Sequence, residues 1–88
     1  MAEAMLRIRY FAWLRERTGR AEEELPVPAG VTTVGGLVDF LRARDAAHAA
    51  AFANPRIVRC AVNQEFAGPD VAIKAGDEVA FFPPVTGG

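Results

Sequence analysis

Few residues of this chain are of the types that do covalent chemistry, and most of those are wrongly spaced for it. It holds one histidine, His48, and one cysteine, Cys60. A lone cysteine excludes an internal disulfide, and with one histidine it falls short of the four ligands a structural zinc takes, so no metal site is expected. Cys60 alternates with Val58 and Val62, a pattern that makes it a small core-facing hydrophobe rather than a nucleophile. His48 lies in an alanine-rich stretch and reads as a bystander. The acids Glu22 to Glu24 and the pair Asp77-Glu78 fall at hairpin and turn positions, where solvation accounts for them. Gly35-Gly36 has neither the spacing nor the lysine of a phosphate loop.

What remains is the end of the chain, Phe81-Phe82-Pro83-Pro84-Val85-Thr86-Gly87-Gly88. Terminal tails are usually polar, whereas this one leaves an apolar segment through two stiff prolines and closes on two residues without side chains. That order has a mechanical use. Pro83 and Pro84 hold the tail extended and away from the body of the protein, Val85 and Thr86 continue it, and Gly87 and Gly88 let a carboxylate enter a channel too narrow for a side chain. The reactive group is therefore expected to be the carboxylate of Gly88. A di-glycine end is a weak signal by itself, and its meaning depends on the domain that carries it.

The elements that must position this tail are legible from periodicity. Leu6, Ile8 and Tyr10 alternate with Arg7, Arg9 and Phe11, the period of a half-buried strand over residues 5–11. A short helical turn over 13–17 precedes a second strand over 22–27, which ends at Pro28-Ala29-Gly30. Thr32 and Thr33 are N-cap candidates for the main helix, whose Val34, Leu37, Val38 and Leu41 share one face. Residues 46–52 continue as helix or form a second short one, until Asn54-Pro55 breaks it. A third strand is expected over 56–63, a minor strand or turn within 66–74, which holds Gly68-Pro69 and the short run Val71-Ala72-Ile73, and a last strand over 78–82 that Pro83-Pro84 must end. This order fits a small sheet with one main helix across one face, an α+β fold whose most economical version is the β-grasp. Residues 1–82 then form one domain, and 83–88 a flexible tail.

Composition narrows the classes of partner. The 88 residues suit one domain, and ten basic residues against eleven acidic give a net charge of −1. No Lys/Arg cluster of the kind that engages a phosphate backbone is present, so nucleic acid is not an expected partner. No apolar run approaches the roughly 20 residues of a membrane span, and the start of the chain lacks the layout of a signal peptide. A cytoplasmic location without membrane partners is expected.

Residues 76–88, Gly76-Asp77-Glu78-Val79-Ala80-Phe81-Phe82-Pro83-Pro84-Val85-Thr86-Gly87-Gly88, resemble the C-terminal signature of the molybdopterin synthase small subunit. Ala61-Val62-Asn63-Gln64, Tyr10-Phe11-Ala12 and Leu14-Arg15-Glu16 agree with it, and the resemblance runs from about Leu6 to Gly88. It implies a ubiquitin-like sulfur carrier with no bound cofactor. A ubiquitin-activating-like adenylyltransferase would spend ATP to adenylate the Gly88 carboxylate, since a free carboxylate is a poor electrophile. Conversion to a thiocarboxylate would follow, the sulfur ultimately coming from a cysteine desulfurase. The tail would then enter the molybdopterin synthase large subunit, in a heterotetramer, and pass sulfur to cyclic pyranopterin monophosphate during molybdenum cofactor biosynthesis. Catalytic side chains would belong to the large subunit, making this chain a sulfur-donating subunit.

Strand parity adds a partner surface. With Leu6, Ile8 and Tyr10 toward the helix, Phe11 faces the other way; with Val79 and Phe81 in the core, Phe82 shares that far side, where Phe66 could join it. In the resembling family, hydrophobic residues matching Phe11, Phe66 and Phe82, with a basic residue matching Arg15, contact the large subunit. Three alternatives stay open: a thiamine-pathway sulfur carrier, a modifier that joins Gly88 to lysines, and a β-grasp interaction module with a passive tail. The first usually lacks the Phe-Phe-Pro-Pro-Val approach, and the organised Pro-Pro-to-Gly-Gly exit argues against the last.

Overall fold

A computed structural model describes residues 5–84 of the chain. Strand β1 (Met5–Tyr10) leads into helix α1 (Trp13–Thr18) and strand β2 (Glu22–Pro26), followed by helices α2 (Val34–Arg42) and α3 (Ala46–Ala51). A 3-10 turn over Pro55–Ile57 then precedes β3 (Arg59–Val62), β4 (Glu65–Phe66) and β5 (Glu78–Phe82). The five strands form one sheet in the order β2-β1-β5-β3-β4. β1 runs antiparallel to β2 and parallel to β5, and β3 is antiparallel to both β4 and β5. This mixed sheet with its helices on one face is the β-grasp arrangement.

Alternation in β1 decides which face is covered. Leu6, Ile8 and Tyr10 are buried while Arg7 and Arg9 are exposed. On the open face Arg7 pairs with Glu24 at 3.3 Å and Arg9 with Glu22 at 3.8 Å, across the β1–β2 register. Val79 and Phe81 of β5 are also buried, and Val34, Leu37 and Leu41 of α2 meet the same core. Its centre is aromatic: Phe52 stands edge-on to Phe81 with centroids 4.9 Å apart, and Tyr10 stacks on Phe81 at 6.2 Å.

Of the two threonines considered as caps, Thr33 is the one in place: its hydroxyl accepts from the Gly36 N–H at 3.1 Å. The helical stretch beyond is a separate short helix, because Asp45 accepts from the His48 N–H and caps α3 anew.

One expectation needs correction and another needs narrowing. The strand expected from residue 56 begins at Arg59, since Asn54 accepts from the Arg56 N–H and Pro55 opens a 3-10 turn instead. Of the minor strand or turn expected within 66–74, the strand is Glu65–Phe66, at the start of that stretch, and the remainder is turn and loop. Asn63 and Gln64 both take positive φ, 51° and 73°, which makes the tight two-residue reversal from β3 into β4. Ala72 forms only an isolated bridge to Thr33. Gly35 is explained at this contact: its N–H donates to the Pro69 carbonyl at 2.9 Å, and a Cβ on it would stand 3.2 Å from that oxygen.

Candidate functional site

The tail is launched from the middle of the sheet. β5 lies between β1 and β3 and ends at Phe82, so the chain leaves from a strand held on both sides. Pro83 is half-buried and Pro84 exposed. Val85, Thr86, Gly87 and Gly88 lie outside the described residues.

Around this exit the structure brings together some of the residues read as a partner face. Phe66 is 83% exposed, and its ring centroid lies 5.9 Å from that of Phe82, which is half-buried. Phe11 is exposed, and its N–H donates to the Phe81 carbonyl, which extends the β1–β5 register by one residue and sets it beside Phe82. Arg15 is exposed on α1, but the cation over the Phe11 ring is Arg9, at 5.2 Å. Arg9 was missed as a member of this face, although its odd position in β1 already put it on the open side. Ala12, between Phe11 and α1, takes φ 57° and ψ −132°, a conformation that a residue with a Cβ rarely adopts.

The other reactive side chains are occupied structurally. Burial pushes the Cys60 thiol up to about 12, so almost no thiolate exists near neutrality. Asp77, expected to be solvated, is buried, and accepts from Asn63 Nδ2 at 3.0 Å and the Lys74 N–H at 2.9 Å. Burial works against its charge, and these hydrogen bonds outweigh it, holding the carboxyl below its usual range.

Glu23 departs most from expectation. Its side chain is 6% exposed and accepts from Tyr10 Oη at 2.7 Å, Arg44 at 2.6 Å, Arg20 at 2.9 Å and His48 Nε2 at 3.0 Å. His48 Nδ1 meets Asp45 Oδ1 at 2.8 Å, so the histidine is a buried pin between β2 and α3. Desolvation raises the Glu23 carboxyl, but hydrogen bonds from Tyr10, His48 and Arg44 prevail and lower it to about 2. The signal was available: Glu23 is two residues from buried Leu25 and shares its side of β2. Among the described residues no His, Cys, Asp or Glu group could hold a metal, and no helix is long and apolar enough to cross a membrane.

A β-grasp domain whose central strand hands directly into Pro83 and Pro84 has the architecture of a ubiquitin-like carrier. The chain belongs to the ThiS family, whose model matches residues 8–88. It is 39% identical to the molybdopterin synthase sulfur carrier subunit of Escherichia coli over 84 residues, covering 96% of this chain and all of the relative. Among solved structures it resembles the small archaeal modifier protein 1 of Haloferax volcanii, with 33% identity, TM-score 0.71, and coverage of 93% and 99% of the two chains. It also shares its fold with a chain of the complex of molybdopterin-converting factor subunits 1 and 2 from Helicobacter pylori, at 17% identity and TM-score 0.62, covering 96% and 99%.

Proposed function

We propose that this chain is the sulfur-carrier subunit of a molybdopterin synthase, and that its reacting group is the Gly88 carboxylate. The observation that carries the reading is the full-length likeness to a sulfur carrier subunit, joined to a described fold in which Cys60 and His48 are both buried in structural roles. A ubiquitin-activating-like adenylyltransferase consumes ATP to activate this carboxylate. A Gly88 carboxylate oxygen bonds to the α-phosphorus, pyrophosphate leaves, and the carbonyl carbon becomes electrophilic. The persulfide sulfur formed by a cysteine desulfurase attacks that carbon and displaces AMP, and a thiol then cleaves the resulting acyl disulfide by thiol–disulfide exchange to leave the thiocarboxylate. In the large subunit that sulfur passes to cyclic pyranopterin monophosphate, and water restores the carboxylate. Gly87, Thr86, Val85, Pro84 and Pro83 are the thread that enters each partner's channel, and Phe11, Arg15, Phe66 and Phe82 are the face seated against the large subunit. On this reading the sulfur transfer takes place in the cytoplasm.

Intact-mass measurement tests this directly. Wild type incubated with ATP, activating enzyme and a sulfur source should gain the mass of one oxygen exchanged for sulfur, and a Gly88 deletion should gain nothing. The likeness to an archaeal modifier protein favours a second reading, conjugation to lysines. Attached protein in place of sulfur would establish that reading instead, and an unchanged mass would leave a passive module.

A further inference from the structure

We propose that the groove between α2 and the β3–β4 edge is a second docking site, and that it takes an extended apolar segment bearing carboxylates, contributed by the protein partner seated on the aromatic face. This inference rests on the partner reading above.

The groove is a cavity of about 780 Å³, within the roughly 300–1,000 Å³ of formed binding sites. β4 is only two residues long, and beyond it the chain crosses to α2: the Ala67 N–H donates to the Cys60 carbonyl and the Pro69 carbonyl accepts from the Gly35 N–H, each at 2.9 Å, with Ala67, Gly68 and Pro69 among the residues that line the cavity. Val34 and Val38 of α2 form one wall, Val58 and Ala67 the other, and Cys60 and Phe81 lie at the bottom.

Charge there is one-sided. Arg42, Arg56 and Arg59 border the cavity, and Asp39 is the one carboxylate among its lining residues. Arg7, Arg9, Arg20 and Arg44 each pair with a glutamate, whereas among the described residues none of the three groove arginines pairs with a carboxylate. Arg59 instead donates to the Arg56 carbonyl at 2.9 Å, which ties its guanidinium to the 3-10 turn at the rim. In a chain of net charge −1, three guanidiniums that have no carboxylate partner among the described residues, beside an apolar trough, suit a ligand that brings carboxylates with its apolar side chains.

Position selects a segment of the partner. Exposed Phe66 and half-buried Phe82 line the groove and also pack ring against ring, so one surface continues over the sheet edge from the aromatic face into the trough. A polypeptide lying on the rings reaches the groove without leaving the surface.

The test is calorimetry with the purified large subunit at low and moderate salt, using the full-length chain, the double variant Arg42→Glu/Arg56→Glu, and Phe66→Ala. All three altered positions are exposed, and a thermal melt of each variant verifies that the fold persists. The double variant should bind at least tenfold more weakly and lose most of the salt dependence, while Phe66→Ala weakens binding and keeps that dependence. Wild-type affinity and salt dependence in the double variant, with Phe66→Ala still impaired, would overturn the groove proposal and leave the partner reading standing. If neither variant changed affinity, both readings would fall. Self-association of the free chain abolished by the double variant would make the occupant a second copy, and amide shifts at Val34, Val38 and Ala67 on deleting 85–88 would make it the chain's own tail; either result also overturns the proposal.

Discussion

Phe66 and Phe82 touch each other, yet they stand differently toward the core. Phe66 is 83% exposed on a two-residue strand, so its ring contributes little to folding. Phe82 is half-buried at the end of a strand paired on both sides. Phe66→Ala should therefore shift stability by less than about 0.5 kcal/mol, and Phe82→Ala should cost about 1–2 kcal/mol. Large rings at the centre of an interface are the usual anchors, so each substitution should weaken binding to the large subunit by about 2 kcal/mol. Thermal melts paired with calorimetry separate the two effects. Unchanged affinity for a folded Phe66→Ala would remove that ring from the interface. Exposure of Phe11 and Phe66 could be anticipated from parity and loop position, but the half-burial of Phe82 could not, because one of the rings packed against it is Phe66, from a strand that periodicity did not place.

At the scale of elements, the sequence was clearest where one period ran uninterrupted. β1, α2 and β5 each repeat their apolar residues at a single spacing, and each forms where that spacing puts it. β4 left no such trace, because two residues cannot show a period and its position is fixed by the positive φ of Asn63 and Gln64. The groove was equally hidden, since its walls come from α2, the 3-10 turn, β3 and the Gly68-Pro69 loop, which are distant in sequence. Gly35 and Gly36 both carry glycine's low helix propensity into the first turn of α2, but the two positions differ. A Cβ at Gly36 would meet nothing nearer than Thr33 Oγ1 at 3.5 Å, whereas one at Gly35 would press on the Pro69 carbonyl at 3.2 Å. Gly36→Ala should thus stabilise the domain by up to about 1 kcal/mol through helix propensity and a less flexible unfolded chain. Gly35→Ala should recover less of that gain or none, because Pro69 has to move. Urea midpoints of the two variants check the ordering, and equal gains would show that the Pro69 contact yields freely.

At the scale of the whole molecule, the Glu23 network joins parts that the hydrophobic core alone would leave less firmly oriented. Tyr10 lies in β1, Glu23 in β2, His48 in α3, and Arg44 and Asp45 in the connection before it, so one carboxylate ties the β1–β2 hairpin to the helical layer. Burial and the Glu23 carboxylate push the Tyr10 phenol upward, so it remains a donor throughout. The sign of the pH effect follows from the direction of the Glu23 shift, from an ordinary 4.5 down to about 2. A depressed folded-state value means that the unfolded chain binds a proton first as pH falls. The stabilisation is complete above about pH 4.5 and is lost between there and pH 2, a change of about 3 kcal/mol. Asp45 and Asp77 are shifted in the same direction and add to the acid slope. Glu23→Gln keeps the shape but cannot ionise, leaving Arg20, Arg44 and His48 around a neutral group. It should destabilise the domain at pH 7, and its deficit relative to wild type should shrink steadily on acidification toward pH 2. Denaturation midpoints of both proteins across that range decide the matter, because a deficit independent of pH would mean that the glutamate acts through packing and neutral hydrogen bonds rather than through its charge.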